Sequence, residues 1–267
     1  MALPAVLGGA FLCFSCPVAP WDTGCYGADM TEPTNPNPAP WRNLYGRRRG
    51  KTLRSAQKTY LAEDLAVLTP KGFAPEQNPD RAQISPSQHF GERREIWLEI
   101  GFGGGEHLVH MAARNPDIGL IGCEPYINGV AMLLGKIRAA GVAQNLGVYP
   151  GDVRDVLDVL PDCSISKAFL NYPDPWPKRR HHDRRFVTQD YLRGLARVMR
   201  PGGEFRVATD IPDYVRQTLE EVPSTGFQRA DLPLHSPWDD WLSTRYEQKA
   251  LREGRVPHYL TFHRKAD

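Results

Sequence analysis

From Ile96 onward the chain alternates short apolar runs with amphipathic stretches. WLEI at 97–100 predicts a buried strand closed by a glycine turn, and the spacing after it predicts a helix over 106–114. The same alternation predicts strands over 118–124, 146–152, 167–174 and 204–210. Helices are expected over 128–140, from 153 to about 160, and over 186–199, where Pro201, Gly202 and Gly203 end the helical pattern. HYLTF at 258–262 reads as a late strand of the same sheet. Strands separated by helices imply an α/β fold, a largely parallel sheet with right-handed crossovers.

Ahead of this region the pattern is different. The run TEPTNPNPAP at 31–40 can neither form a helix nor contribute to a core. Residues 1–40 are therefore expected to be a disordered extension, with Met30 as the expected initiator. Ala2–Ala19 is apolar, but it lacks a basic flank and is interrupted by Pro4, Gly8, Gly9 and Pro17, which argues against a membrane span. Residues 41–90 read as a basic arm and lead-in helix, and residues 91–267 as the main domain.

A formal charge of +2 is close to neutral, so any nucleic-acid surface must come from local clustering. Two clusters exist. Arg42, Arg47, Arg48, Arg49, Lys51, Arg54 and Lys58 follow one another without an acidic residue and alternate with Trp41, Tyr45 and Tyr60. Lys178, Arg179, Arg180, His181, His182, Arg184 and Arg185 form the second. Both suit contact with phosphates. The five cysteines do not make a disulfide framework. Cys13 and Cys16 have metal-type spacing without a second pair, so no metal is expected, and the reducing cytoplasm is the default compartment.

In parallel sheets ligands bind beyond the carboxyl ends of the strands. There the sequence places Glu99, Glu124, Asp152, Asp174 and Asp210, one for each strand. The loop holding Gly101 and Gly103 fails the dinucleotide fingerprint, because the third glycine position is Glu106. An anionic pyrophosphate would face Glu99 and Glu106, whereas S-adenosyl-L-methionine is a sulfonium cation and suits carboxylates. On this reading Glu124 accepts hydrogen bonds from the ribose hydroxyls, and Asp152 reaches the adenine while capping its helix. Pro173 and Pro175 fix the backbone on either side of Asp174, beside an exposed Trp176 and the second basic cluster.

LEIGFGGG, GCEPY, NYPDPWPKRRHHDRR, ATDIPDY and TRYEQKALREG, in this order and spacing, resemble the tRNA (guanine-N7)-methyltransferase family from about Arg47 to Phe262. The resemblance implies a Rossmann-like class I methyltransferase fold with a mostly parallel seven-stranded sheet flanked by helices. It implies methylation of guanine 46 in the tRNA variable loop, with S-adenosyl-L-methionine as donor. Glu99, Gly101, Gly103, Glu124 and Asp152 would bind the cofactor, and Asp174 would both contact it and be catalytic. Lys178, Asp210, Thr244, Arg245, Tyr246 and Glu247 would bind substrate. Trp176 follows the bacterial pattern, which implies no obligate protein partner. Because guanine N7 carries a free lone pair, no general base is required; Asp174, with Asp210 or Glu247, is expected to hold the N1–H and 2-amino edge. Two alternatives stay open. One is a class I methyltransferase acting on another RNA or a small molecule, since Asn171-Tyr172-Pro173 partly resembles the Asn-Pro-Pro-aromatic motif of amino methyltransferases. The other is a non-catalytic RNA-binding module.

Overall fold

A computed structural model describes residues 43–91 and 95–266. Strands β1 (Glu95–Ile100), β2 (Ile118–Cys123), β3 (Leu146–Tyr149), β4 (Ile165–Asn171), β5 (Met199–Thr209), β6 (Phe227–Arg229) and β7 (His258–Arg264) form one sheet in the order β3-β2-β1-β4-β5-β7-β6. The first five pair in parallel, while β7 runs antiparallel to both β5 and β6. The expected seven-stranded, mostly parallel sheet is present, and the late strand joins it.

Short helices α1 (Ser55–Glu63), α2 (Leu65–Leu68) and α3 (Ser87–Phe90) precede the sheet. Helices α4 (Glu106–Arg114) and α5 (Ile127–Ala140) supply Leu108, Met111, Leu133, Leu134 and Ile137 to a core that also holds Trp97 and Phe169. A second core takes Val156 and Leu157 from α6 (Val153–Val159), Leu192 and Leu195 from α7 (Gln189–Val198), and Tyr214 and Val215 from α8 (Pro212–Glu221). Helix α9 (Arg245–Arg252) comes between β6 and β7. Among the described residues no helix is long and apolar enough to cross a membrane.

Several boundaries differ from expectation, each for a local reason. β3 stops at Tyr149, ahead of Pro150 and Gly151. β4 stops at Asn171, because Tyr172 takes φ +50° and two prolines follow. Asp174 therefore sits in a loop beyond the strand. α7 begins at Gln189, after an extended Thr188 at the N-cap position, rather than at Phe186. The extension over residues 1–40, with Trp41 and Arg42, lies outside the described residues.

Candidate active site

The glycine loop after β1 is shaped by close approach. Gly101 and Phe102 donate to the Cys123 carbonyl at 2.9 and 3.3 Å, and Gly101, Gly103 and Gly105 take φ values of +72°, +57° and +77°. These are left-handed conformations that favour glycine. A Cβ on Gly101 would meet nothing within 4 Å, so the loop is open there. On its other side the loop is crowded: a Cβ on Gly129, in the first turn of α5, would lie 2.2 Å from the Gly103 carbonyl oxygen.

Glu124 holds this loop. Its carboxylate accepts from the Gly103 amide at 2.7 Å and the Tyr126 amide at 2.9 Å. Burial raises its pKa, the two amides oppose that shift, and the nearby charge of Asp174 adds to it. Two amide donors leave acceptor capacity for further hydroxyls. Glu99 is 3 % exposed, with its carboxylate 2.9 Å from His107 Nδ1 on α4. Asp152 caps α6 by accepting from the Arg154 amide at 3.0 Å, and it also receives the Arg154 guanidinium. The helix cap expected at Asp152 is thus present.

Asp174 differs from the other strand-end acids. No hydrogen bond or ion pair reaches its side chain from the described residues. One side opens to solvent, yet surrounding atoms desolvate it enough to raise its pKa above the usual carboxylate value. Asn171 ends β4 three residues earlier, buried, and neither polar atom of its amide has a partner among the described residues. A buried unpaired amide costs on the order of 1–3 kcal/mol, so a partner of another kind is expected there.

The two basic clusters meet beside Asp174. A Cβ on Gly46 would lie 3.6 Å from Asp174 Oδ2, so the N-terminal segment passes directly against the carboxylate. Tyr45 packs edge-on against Trp176 with centroids 6.3 Å apart, and the Arg184 guanidinium lies 4.4 Å from the Tyr45 ring centre and 5.1 Å from that of Trp176. The segment is anchored further along by backbone contacts: Ile127 donates to the Arg48 carbonyl, and Asn128 bridges Gly50 and Lys51. Arg47, Arg48, Arg49, Lys178, Arg179 and Arg180 remain exposed. Arg185 does not, and it cannot reach a phosphate from where it lies.

The late Thr-Arg-Tyr-Glu element sits over the glycine loop. Thr244 caps α9 by accepting from the Glu247 amide at 3.2 Å. The Tyr246 ring would lie 3.3 Å from a Cβ on Gly103, and an Arg245 nitrogen 2.9 Å from one on Gly104. Glu247 is buried, with its two oxygens taken by the Trp241 indole at 2.9 Å and by the Tyr259 hydroxyl. Asp210 is buried against Arg255. Both acids thus have side-chain partners, whereas Asp174 has none among the described residues. Sequence reasoning missed His107, Gly129, Arg255 and the inward turn of Arg185. A histidine eight residues from its glutamate, or one arginine in a run of cations, carries no pattern that marks it.

A family model described as a putative methyltransferase matches residues 93–260. The tRNA (guanine-N(7)-)-methyltransferase of Paracoccus denitrificans (strain Pd 1222) is 70% identical over 87% of this chain and 98% of its own length. That of Cereibacter sphaeroides is 72% identical over 84% and 92%, and that of Paramagnetospirillum magneticum 43% identical over 84% and 93%. Among solved structures, the 16S rRNA methyltransferase KamB aligns with a TM-score of 0.52 at 19% identity, over 69% of this chain and 96% of that one. At that identity the likeness speaks for the fold alone, which is the Rossmann-like fold of class I methyltransferases.

Proposed function

Because the chain belongs to the tRNA (guanine-N7)-methyltransferase family, we propose that it transfers a methyl group from S-adenosyl-L-methionine to N7 of guanine 46 in the variable loop of tRNA. One observation carries the reading. Asp174 is a partly desolvated carboxylate without a polar partner among the described residues, and two cationic segments are clamped together beside it by Tyr45, Arg184 and Trp176. A small-molecule site has no use for exposed arginines on both flanks, whereas a nucleic acid does.

The residues fit the cofactor. Gly101 leaves open space, Glu124 keeps acceptor capacity beyond its two amide donors, and the amide of Asn171 has no partner among the described residues. When bound, the cofactor supplies an electrophilic methyl group on a sulfonium centre. The chain's own residues align and stabilise. Asp174 accepts hydrogen bonds from guanine N1–H and the 2-amino group, which turns N7 away from the carboxylate and toward the glycine loop. The N7 lone pair is already available, so Asp174 removes no proton. Its charge instead offsets the positive charge that grows on the purine during transfer. Adenine has an acceptor at N1 and would leave the carboxylate facing a lone pair, which costs discrimination energy of several kcal/mol in sites of this kind. Arg47, Arg48, Arg49 and the 178–184 turn hold the tRNA backbone. Lys178 and the exposed faces of Arg245 and Tyr246 complete the substrate side. In this reading Glu247 braces α9, and Asp210 is held ready by Arg255. The enzyme works in the cytoplasm on tRNA without an obligate protein partner.

The test is transfer of labelled methyl to an unmodified tRNA transcript and to one whose variable-loop guanine is replaced. Label on the first alone is expected. Equal label on both would refute the assigned position, and label on neither would refute the assigned substrate.

A further inference from the structure

Arg185 belongs by sequence to the exposed basic run, but its side chain is completely buried. Its Nε donates to the Pro175 carbonyl at 2.9 Å, and Nη2 reaches the Trp176 carbonyl at 3.4 Å. Nη1 donates to Gln217 Oε1 at 2.8 Å and lies 2.9 Å from the Asp213 carboxylate, both on α8. The guanidinium stacks 5.2 Å from the buried ring of Tyr214, and Gln217 donates in turn to the Val187 carbonyl at 3.0 Å. Desolvating a guanidinium is costly, and here its polar contacts go to the 175–176 loop and to α8 rather than to solvent.

The two carbonyls are those of the residues immediately after Asp174. Trp176 holds φ +42°, a left-handed conformation that a tryptophan keeps only when its surroundings enforce it. Two prolines restrict the loop from within; Arg185 is the group that holds it from beneath. The same guanidinium ties that loop to α8, which begins two residues beyond Asp210. The planar fork serves several acceptors at once, which a lysine ammonium on a flexible stem does not reproduce.

We propose that Arg185 is a positioning residue for the methyl transfer, fixing the 174–176 loop so that the Asp174 carboxylate meets the guanine edge in one orientation. The inference rests on the function proposed above. Arg184 and Arg185 then divide the work: Arg184 stacks outward on Tyr45 and Trp176, toward the RNA, and Arg185 turns inward to hold the carboxylate's support.

The experiment compares the wild-type protein with Arg185→Lys in labelled methyl transfer to unmodified tRNA, alongside hydrogen–deuterium exchange. A misplacement of about 1 Å costs on the order of 100-fold in rate, so kcat per folded molecule is expected to fall by about that factor. The KM for S-adenosyl-L-methionine and the affinity for tRNA are expected to stay within about threefold, since the substitution alters neither the glycine loop nor the exposed phosphate-contacting cations. Amides of Asp174, Trp176 and Lys178 should exchange faster, and millimolar guanidinium should restore part of the kcat of Arg185→Ala where sodium does not. A purely structural role would lower the folded fraction but leave kcat per folded molecule and the exchange of this loop unchanged, and that result overturns the proposal. Should both variants fail to fold, Gln217→Met loosens the same fork: a fall in kcat supports the assignment and an unchanged kcat overturns it. If the wild-type protein itself does not methylate tRNA, the functional reading fails, and loop exchange still decides whether Arg185 holds Asp174.

Discussion

Gly129→Ala is a substitution for which helix propensity and the site geometry make opposite predictions. Gly129 lies in the first turn of α5, where exchanging glycine for alanine ordinarily stabilises a helix by about 0.5–1 kcal/mol. Here the new Cβ would lie 2.2 Å from the Gly103 carbonyl oxygen, against a practical limit near 3.0 Å, so backbone must move by at least about 0.8 Å. The helix has little room to retreat, because Val130, Leu133, Leu134 and Ile137 lock it into the core. The glycine loop must shift instead. The 2.7 Å bond from the Gly103 amide to Glu124 then stretches beyond useful range. Hydrogen bonds to charged groups contribute roughly 1.5–3 kcal/mol, so cofactor affinity should weaken by about 10- to 100-fold. Calorimetric titration with S-adenosyl-L-methionine, next to a thermal melt, reads both quantities. Weakened binding at equal or reduced Tm is expected. A raised Tm with unchanged affinity would show that the loop is not seated on Gly129, and the steric argument would fall.

Other expectations follow from the same geometry. Asp174→Ala should abolish turnover while sparing most cofactor affinity, and the acid limb of the wild-type profile of kcat/KM, which reports the free enzyme, should lie above the ordinary aspartate pKa of 3.8, because burial raises this carboxyl; a limb at or below that value would refute the assignment. The sign for stability is opposite: with its folded pKa raised, Asp174 makes the native state less stable as pH rises through that pKa, so Asp174→Asn should melt higher than wild type at neutral pH and no higher at pH 3. Exchanging Arg47, Arg48 and Arg49 for Gln should reduce the slope of log K against log salt for tRNA by on the order of 2, and an unchanged slope would return the segment to a solvated surface. A cation bound near Glu124 and Asp174 should lower both raised pKa values, so binding of S-adenosyl-L-methionine should release protons and tighten with rising pH in the acid range; calorimetry in buffers of different ionisation enthalpy would detect this, and proton uptake would contradict it.

Much of the sheet was legible because its strands are continuous apolar runs between glycines and prolines. β1, α4 and α5 fall within a residue or two of the positions that periodicity predicts. The second half was harder to read, for a physical reason. α8 buries Gln217 and Thr218 beside Tyr214 and Val215, so the face it turns inward is partly polar. α9 buries Glu247 and Ala250, and a glutamate in a core position has no hydrophobic signature at all. β6 has three residues, with only Phe227 buried. Each of these elements is held by contacts from outside itself: the Arg185 fork for α8, the Trp241 and Tyr259 donors for α9, and pairing with β7 for β6.

The five strand-end acids look alike along the chain, and the fold makes them unlike. Glu99 is turned to His107, Asp152 to Arg154 and Asp210 to Arg255. Asp152 and Asp210 each carry an arginine, which limits what they offer a cationic ligand, and Glu99 is held by an imidazole. Glu124 is held by backbone amides, which leave its net charge in place, and Asp174 has no polar partner among the described residues. Glu124 and Asp174 are thus the two acids of the set with no basic side chain hydrogen-bonded to them among the described residues, and they are close enough for Asp174 to raise the pKa of Glu124, a shift that the charge of Arg245 opposes. Two carboxylates that destabilise one another when the site is empty become favourable once positive charge lies between them. Methyl transfer moves positive charge from a sulfonium to a purine. Under that reading the pair stabilises the charge at both ends of its path, Glu124 on the cofactor side and Asp174 on the guanine side, so one arrangement of fixed carboxylates serves binding and transfer together.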